Sequence, residues 1–246
     1  MIYGRHISLI MPALDEERSI GHVLAALPGG IDDIVVVDNG SSDRTAEIAA
    51  KFGARIVDEP RRGYGQACLT GIAALGTTDI VVFLDADFSD DPPRLGDLVR
   101  PIAEGHAEMV LGQRLPHAAA ALTLPQHFGN RLACYLMRIV WGHRYRDLGP
   151  FRAIDRRALD RLGMADTNYG WTVEMQIKAV EAGLEIEEID VDYRPRIGRS
   201  KISGTVRGVI CAGTKILWTI ARYALSSWIG RHRHTAYDDA PRAWKM

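Results

Sequence analysis

The sequence predicts an α/β fold with a mostly parallel sheet and helices on both of its faces. Strand and helix patterns alternate through the first half of the chain, which is typical of parallel strands joined by crossover helices. Continuous apolar runs such as 34–37 and 80–84 are typical of strands covered on both faces. The length of 246 residues and the apolar fraction of 47% suit one large domain with a full core.

Proline and acidic residues indicate several element boundaries in the first half. Pro12 is expected to stop the first strand, and Asp15 to cap the helix that follows. Pro92 and Pro93 open the fourth helix, since proline is tolerated in a first turn. The predicted strands are 6–11, 33–38, 54–57, 79–84 and 108–111, and the predicted helices are 18–27, 43–52, 64–75 and 92–104.

The second half of the chain has a less regular pattern. The predicted helices are 122–140 and 171–182, and the predicted strands are 151–154 and 186–193. An apolar stretch at 206–229 follows a loop rich in Gly, Ser and Arg. We therefore expect one domain over 1–204, an amphipathic helix at 205–230 and a flexible tail at 231–246.

Charge is unevenly distributed along the chain. The net charge is −1, so no nucleic-acid partner is expected. From Tyr193 to Tyr237, however, there is no Asp or Glu, while nine Arg and Lys residues fall in that stretch. This asymmetry indicates an anionic partner, either phosphate or a membrane surface, with a solvated basic tail as the alternative.

The cysteines and the apolar runs bear on the compartment. Cys68, Cys134 and Cys211 are widely spaced and odd in number, which fits neither a disulfide framework nor a zinc site and favours a reducing compartment. The apolar run near the first residues is too short for a signal peptide. No apolar run without charges is long enough to span a membrane. We expect a cytoplasmic protein, free or peripheral at the cytoplasmic face of a membrane.

Asp85, Ala86 and Asp87 carry the clearest chemistry. Two carboxylates flank a small residue directly after a buried strand, and alternate residues of an extended segment point the same way. Both could reach one Mg²⁺ or Mn²⁺, which proteins hold with few carboxylates and with phosphate oxygens. Such an ion would neutralise the charge that builds on a departing diphosphate. For an isolated triplet, the alternative is a helix cap or a solvated turn.

Two further polar clusters, 12–17 and 38–43, also follow predicted strands. Ligands of parallel sheets bind beyond the carboxyl ends of the strands, so the fold would bring these clusters close to 85–87. Asp38 could accept hydrogen bonds from a nucleobase or a ribose, and Gly40 allows close backbone approach or a positive φ. Each cluster alone is also compatible with a plain strand-to-helix turn.

Together the three clusters resemble family 2 glycosyltransferases of the Rossmann-like GT-A fold, and in particular their dolichyl- and polyprenyl-phosphate branch. Residues 12–17 are similar to the motif P-A-x-N-E-E, with Asp15 in place of Asn. Residues 37–45 are similar to V-D-D-G-S-x-D-x-T, with Asn39 in place of the second Asp. The D-A-D of 85–87 precedes a P-P helix start. The resemblance covers about 6–204 and is specific to nucleotide-sugar binding, not to one sugar.

The resemblance implies a nucleotide-diphosphate sugar as donor. Asp85 and Asp87 would hold the metal and the diphosphate, and Asp87 is counted among the catalytic residues. Residues 61–66 are similar to the family's glycine-rich turn before a helix, where backbone N–H groups favour an anion. The nucleotide-binding residues implied are Pro12, Ala13, Leu14, Glu16, Asp38, Gly40, Gly65, Asp85, Ala86 and Asp87.

Two segments in the middle of the chain resemble parts that face the sugar or the acceptor. Arg114 ends a Gly-x-Arg segment that would face the donor sugar or the acceptor phosphate. Asp147 and Arg152 match a D-x-x-S-G-F-R segment, which Pro150 interrupts. Asp147 is the candidate for positioning or weak base catalysis, and Arg152 for contact with the sugar or acceptor.

Two later segments complete the resemblance. Trp171 would either stack on a sugar or fill the core, and Glu174 lies on the same helix face as a further candidate contact. A mobile R-x-G-x-S-K loop would bring Arg196, Ser200 and Lys201 to the acceptor phosphate or the donor diphosphate. Arg196 and Lys201 would then stabilise the leaving group and are counted as catalytic.

The stretch 206–229 predicts a helix with a polar stripe of Lys215, Thr219, Arg222 and Ser226. With its Trp residues it would lie in a membrane interface, or alternatively pack on the domain or in a homo-oligomer. We expect inverting transfer of a hexose from a UDP- or GDP-linked sugar to a polyprenyl or dolichyl phosphate. A lipid phosphate is already ionised and needs no strong base. The alternatives are a soluble acceptor, or nucleotide-sugar binding without transfer.

Overall fold

The computed structural model describes residues 1–115, 124–198 and 206–238. A seven-stranded sheet in the order β3-β2-β1-β4-β6-β5-β7 forms its centre. The strands are β1 Ile7–Ala13, β2 Asp33–Asp38, β3 Arg55–Asp58, β4 Ile80–Phe83, β5 Met109–Arg114, β6 Arg152–Asp155 and β7 Ile186–Val191. β6 runs antiparallel to β4 and β5, and the other pairings are parallel. The predicted mostly parallel α/β fold is confirmed.

Helices cover both faces of this sheet. They are α1 Ile20–Ala26, α2 Thr45–Lys51, α3 Tyr64–Ala74, α4 Leu95–Ala103, α5 Leu124–Trp141, α6 Arg156–Leu162, α7 Trp171–Glu181 and α8 Val206–Asp238. Adjacent residues of one strand enter different cores: Ile10 packs with helices α3, α5, α6 and α7, whereas Leu9 and Met11 pack with α1, α2 and α4. This alternation explains why the strand sequences are apolar without interruption.

Pro12 does not stop β1, contrary to the expectation from sequence. The strand continues to Ala13, with Pro12 opposite Val37 and Ala13 opposite Asp38 of β2. On its other side, pairing with β4 ends at Ile10. Even-numbered residues of β1 bond toward β4, as shown by the Leu84 N–H donating to the Ile10 carbonyl. The absent N–H of Pro12 therefore removes no ladder hydrogen bond.

Helix α6 has no counterpart among the predicted elements. Its N-cap residue Asp155 accepts hydrogen bonds from the N–H groups of Arg157 and Ala158, and Gly163 ends it with a φ of 54°. Both are ordinary helix-boundary signals. Because Asp155 is also the last residue of β6, the helix begins without an intervening loop.

The last helix is longer than its sequence pattern indicates. It runs from Val206 to Asp238, and so includes eight residues of the stretch 231–246 predicted as a tail. It packs against α5 and α7. Within the described parts of the chain, none of the helices combines the length and the apolar character needed to span a membrane.

Candidate functional site

The three strand-end clusters converge on one pocket of about 250 Å³. It lies where β1, β2 and β4 end side by side, which is the position expected for ligands of such sheets. The lining residues are Pro12, Ala13, Leu14, Glu16, Asn39, Arg62, Gly63, Tyr64, Ala67, Asp85, Ala86, Asp87, Asn168, Tyr169 and Arg196. Every cluster identified from the sequence contributes at least one of them.

Hydrogen bonds between the first two loops fix the first wall of the pocket. The Asp15 N–H donates to Ser41 Oγ, and Asp15 Oδ1 accepts from the Ser42 N–H. The Glu16 N–H donates to Thr45 Oγ1 at 2.7 Å. Asp15 has a φ of 49°, a left-handed conformation that Asp tolerates better than most residues. The loop after β1 is thereby held so that Glu16 lines the pocket.

Asp85 is a pocket carboxylate whose pKa is strongly shifted by its surroundings. Burial raises the pKa of Asp85 to about 7, and the neighbouring charge of Asp87 adds to the rise. The Tyr64 hydroxyl, which donates to Asp85 Oδ1 at 3.0 Å, acts in the opposite direction, as does the charge of Arg196. Burial, followed by the charges of Asp85 and Asp87, also raises the pKa of Asp90. Burial, with a smaller contribution from repulsion between the carboxylates, therefore disfavours the charged forms of Asp85 and Asp90.

Asp87 is held from two sides. Its Oδ1 accepts a hydrogen bond from the Ser89 N–H at 2.9 Å, and its Oδ2 lies 3.3 Å from Arg196 Nη1. The other terminal nitrogen of Arg196 contacts Glu16 Oε1 at 2.5 Å. The Ile197 N–H donates to the Asp87 carbonyl, so the segment that carries Arg196 is docked on the 87–91 loop. Arg196 thus bridges the first and third clusters across the pocket.

These residues fit a divalent cation that is shared with a ligand. No group of three or more His, Cys, Asp or Glu side chains within the described residues is arranged to hold a metal by itself. Mg²⁺ characteristically uses one or two carboxylates and completes its shell with phosphate oxygens and water. Asp85 and Asp87 supply two hard oxygen donors whose repulsion a cation would relieve. The two-carboxylate set is therefore suited to a metal that arrives with a diphosphate.

Three residues predicted to bind nucleotide lie outside the pocket lining. Asp38 Oδ1 accepts from the Ser41 N–H and so closes the turn after β2. Gly40 provides the positive φ of 81° that this turn requires. Gly65 is buried against the backbone of 166–168, where a Cβ would lie 2.1 Å from the Asp166 carbonyl oxygen. These positions shape the loops around the pocket.

Asn39 lies in the pocket wall and also ties a neighbouring loop to it. Its side-chain amide donates to the carbonyls of Glu59 and Arg61, and its Oδ1 accepts from the Gly63 N–H. An aspartate at this position could not donate to two carbonyls. The substitution noted in the sequence therefore stabilises the start of the glycine-rich turn.

Asp147, the candidate base, forms a buried ion pair with Arg114. Both carboxylate oxygens accept from the guanidinium, at 2.6 and 2.7 Å. Burial alone would lower the pKa of Arg114, but the hydrogen bond and charge of Asp147 outweigh it and raise the pKa. Neither residue lines the pocket. The geometry thus assigns Asp147 a positioning contact with Arg114 and leaves neither of its oxygens free to act as a base.

Arg152 and Trp171 are core residues, each 1% exposed. Arg152 donates to the carbonyls of Gly149 and Thr172, and burial lowers its pKa. The Trp171 ring meets Phe83 edge to face at 5.9 Å. A side chain without an exposed face cannot stack on a sugar. Of the two roles open for Trp171, the structure shows the packing one, and it corrects the expectation of a sugar contact at both positions.

Glu174 supports the loop between α6 and α7. It is 1% exposed and accepts hydrogen bonds from the N–H groups of Ala165 and Asp166, while Tyr223 of α8 donates to it. Lys178 forms an ion pair with the same carboxylate at 2.9 Å. Its oxygens are therefore occupied within the protein, and the expected acceptor contact is not seen. Ser200 and Lys201 lie outside the described residues.

The pocket also includes residues that the sequence motifs do not single out. Tyr64 lies within the glycine-rich turn, where the motif indicates no role for its side chain, and Asn168 and Tyr169 lie in the loop after the unpredicted helix α6. The Gln66 N–H donates to the Thr167 carbonyl, which joins this loop to the start of α3. These contacts cannot be predicted from a sequence motif, because they depend on how two loops pack together.

Comparisons with known proteins agree with this geometry. A family model described as glycosyl transferase family 2 matches residues 8–163. An uncharacterized glycosyltransferase of Mycobacterium tuberculosis is 40% identical over 210 residues, which cover 85% of this chain and 95% of that protein. A dolichyl-phosphate hexose transferase of Haloferax volcanii is 32% identical, covering 80% of this chain and 86% of that protein.

A solved structure shares the fold. Glucosyl-3-phosphoglycerate synthase from Mycobacterium tuberculosis, crystallised with Mn²⁺, UDP and glucosyl-3-phosphoglycerate, superposes with a TM-score of 0.69 at 26% identity. The match covers 88% of this chain and 79% of that chain. Another crystal of that synthase contained Mg²⁺ and UDP.

Proposed function

The chain belongs to glycosyl transferase family 2, and from that premise we propose that it transfers a hexose from a UDP- or GDP-linked sugar to a polyprenyl or dolichyl phosphate at a membrane surface. The observation that carries this proposal is the position of Asp85 and Asp87. They lie in one pocket with the strand-end residues of β1 and β2. The base and ribose of a nucleotide could contact those residues while its diphosphate reaches Asp85 and Asp87.

The pocket offers complementary contacts for each part of the donor. Pro12, Ala13 and Leu14 form an apolar wall suited to a flat base. Arg62 and Arg196 supply positive charge for phosphate oxygens. Because Arg196 already bridges Glu16 and Asp87, a diphosphate would compete for its guanidinium and redistribute these contacts.

Asp85 and Asp87 would hold Mg²⁺ or Mn²⁺, which would neutralise charge on the leaving diphosphate. The crystals of the mycobacterial synthase with Mn²⁺ or Mg²⁺ and UDP support this assignment. Within the chain, Tyr64 orients Asp85 through its hydroxyl, and Ser89 orients Asp87. Two fixed carboxylates lower the reorganisation needed when the ligand binds.

The choice of a lipid-phosphate acceptor rests on two further points. The relative from Haloferax volcanii is named a dolichyl-phosphate hexose transferase. A phosphate monoester, with a second pKa of about 6, is already a competent nucleophile at neutral pH. An acceptor of that kind agrees with the pairing of Asp147 to Arg114, which leaves the candidate base engaged. Attack by this acceptor on the anomeric carbon would invert its configuration.

A second candidate acceptor is a soluble phosphorylated compound. The mycobacterial synthase, whose crystals contained glucosyl-3-phosphoglycerate, favours it through its structural likeness. In that case α8 would serve only as a packing element, in agreement with its contacts to α5 and α7.

Product analysis with a panel of labelled UDP- and GDP-sugars separates these possibilities. Each donor is incubated with Mn²⁺ and with either a polyprenyl phosphate in detergent or 3-phosphoglycerate. We expect label in the organic phase with the lipid acceptor, and none with Asp87→Asn. Label only in the aqueous glycerate product would replace the lipid acceptor by the soluble one. Metal-dependent nucleotide binding without any labelled product would overturn the transfer activity itself.

A further inference from the structure

Two neighbouring helices, α5 and α8, carry most of the large hydrophobic side chains that are strongly exposed in the described parts of the chain. Seven of the ten large hydrophobic side chains that are strongly exposed lie on them. On α5 these are Phe128, Tyr135 and Ile139, and on α8 they are Leu217, Trp218, Leu225 and Trp228. We call these seven residues the α5–α8 face. The two helices pack on each other, so their exposed residues belong to adjacent surfaces.

The exposed residues of α5 form a regular stripe. Phe128, Tyr135 and Ile139 follow the spacing i, i+7 and i+11, which places them on one side of a helix. The opposite side is already used, because Ala133 and Met137 are buried in the domain core. A contiguous apolar stripe that faces away from the core is typical of an interaction site.

The inner face of α8 is held to the domain by polar contacts. Lys215 forms an ion pair with Asp166 at 2.8 Å, and the Tyr223 hydroxyl donates to Glu174 at 2.7 Å. Thr219 and Ile220 are buried on the same side. Trp218 and Leu225, by contrast, are 53% and 59% exposed. The helix is thus already docked, and among the described residues its outer face is exposed to solvent.

Charge identifies the kind of partner. No Asp or Glu occurs in 109–146 or in 193–237, the stretches that contain α5 and most of α8. Arg131, Arg138 and Arg222 are exposed on these helices. The Arg222 guanidinium lies 5.4 Å from the centre of the Trp218 ring, a pairing of cation and aromatic ring suited to a lipid headgroup region. The exposed carboxylate of Glu181 on α7 accepts hydrogen bonds from Trp141 of α5 and Ser227 of α8, so one negative charge lies at the border of this face. The three arginines outweigh it, and an apolar surface with a net positive border matches an anionic bilayer.

A second copy of the chain is a poorer match to the same face. A two-fold dimer would place the face against itself, with Arg131, Arg138 and Arg222 on both sides and only Glu181 of α7 nearby as a carboxylate among the described residues. Like charges across an interface oppose association.

We infer that the α5–α8 face binds the surface of an anionic phospholipid bilayer, with its aromatic and aliphatic side chains in the headgroup region. As a means of reaching a lipid-phosphate acceptor this docking rests on the proposed function, whereas the lipid binding itself can be measured without it. The docking involves two helices, and it orients the protein through contacts that lie outside the pocket lining.

Sedimentation with vesicles tests this inference. The full chain is mixed with phosphatidylglycerol–phosphatidylcholine vesicles and, separately, with phosphatidylcholine vesicles. The test variant is Trp218→Ser with Leu225→Ser, and the matched control is Phe52→Ser, which removes an exposed aromatic residue from the C-terminus of α2. We expect the anionic vesicles to bind the wild type and the control alike, more weakly at high salt, and the double variant about tenfold or more weakly.

The same samples distinguish the other outcomes. Sedimentation of Phe52→Ser as weak as that of the double variant, or no binding of the wild type, would overturn the inference. So would a dimer seen in analytical ultracentrifugation that the double variant dissociates, since the occupant would then be a second copy. Transfer to polyprenyl phosphate in detergent is measured for each variant. Intact transfer without vesicle binding refutes only the docking, and vesicle binding without transfer refutes only the proposed function.

Discussion

Gly65→Ala tests how the glycine-rich turn supports the pocket. Gly65 lies on the first turn of α3, against the loop that carries Asn168 and Tyr169. A Cβ at this position would lie 2.1 Å from the Asp166 carbonyl oxygen and 2.9 Å from the Asn168 nitrogen. Both contacts are with backbone, so no flexible side chain can move aside.

The expected cost follows from these distances. Contact between carbon and oxygen normally begins above 3 Å, so the helix start and the loop must separate by about 1 Å. Such overpacking costs about 1–3 kcal/mol. It would also weaken the hydrogen bond from the Gln66 N–H to the Thr167 carbonyl. For a chain of this size, 2 kcal/mol corresponds to a fall in Tm of about 4–8 °C.

Thermal unfolding and nucleotide binding by calorimetry measure the two consequences. The variant should unfold at lower temperature and bind UDP or GDP more weakly, because the displaced loop carries two pocket residues. Gly96→Ala is the matched control: a Cβ there meets nothing within 4 Å, and alanine in a helix should raise stability by up to about 1 kcal/mol. Unchanged Tm and unchanged nucleotide affinity in Gly65→Ala would refute the packing argument.

Three other substitutions separate structural from chemical roles. Trp171→Phe should lower the free energy of unfolding by about 1–3 kcal/mol and leave the KM for the donor unchanged, because the indole fills the core. A raised KM at unchanged stability would contradict the packing role. Asp147→Ala should lower the free energy of unfolding by about 3–5 kcal/mol, because it leaves Arg114 buried and unpaired. The pH–rate profile of the residual activity should keep its shape. Unchanged stability together with the loss of one limb of that profile would show that Asp147 acts as a base. Hydrogen bonds from Arg61 and Thr70 hold the pKa of Glu59 well below its ordinary value of 4.5, so its stabilising effect is complete above that pH and declines as pH falls below it. Denaturant unfolding of Glu59→Gln should therefore differ most from wild type at neutral pH and converge with it in acid, and a constant difference would contradict the assignment.

The sequence predicts the central part of the site because strand ends are recognisable locally. A continuous apolar run that stops at Asp85 places the carboxylate at the carboxyl edge of a buried strand, and parallel strands bring such edges together. The same reasoning places the first two clusters correctly. It requires only the order of elements and their polarity, and both can be read from the sequence.

Roles that depend on packing cannot be predicted in this way. The helical pattern around Trp171 and Glu174 does not indicate which neighbours cover that face, and the structure buries both under α8 and the sheet. The pattern around Gly65 indicates a need for glycine, but not that the obstacle is a loop about 100 residues further along the chain. The prediction that Pro12 ends β1 is wrong, because a missing N–H disrupts a strand only where a neighbouring strand would have accepted a hydrogen bond from it.

Metal dependence of nucleotide binding tests the central claim most directly. UDP and GDP are titrated into the wild type and into Asp87→Asn by calorimetry, with Mn²⁺ and with a chelator. We predict binding by the wild type that requires the metal, and a loss of about tenfold to a hundredfold in the variant, equivalent to about 1.5–3 kcal/mol for a contact with a charged group. Equal, metal-independent affinity in both proteins would contradict the assignment of Asp85 and Asp87 to the metal and diphosphate.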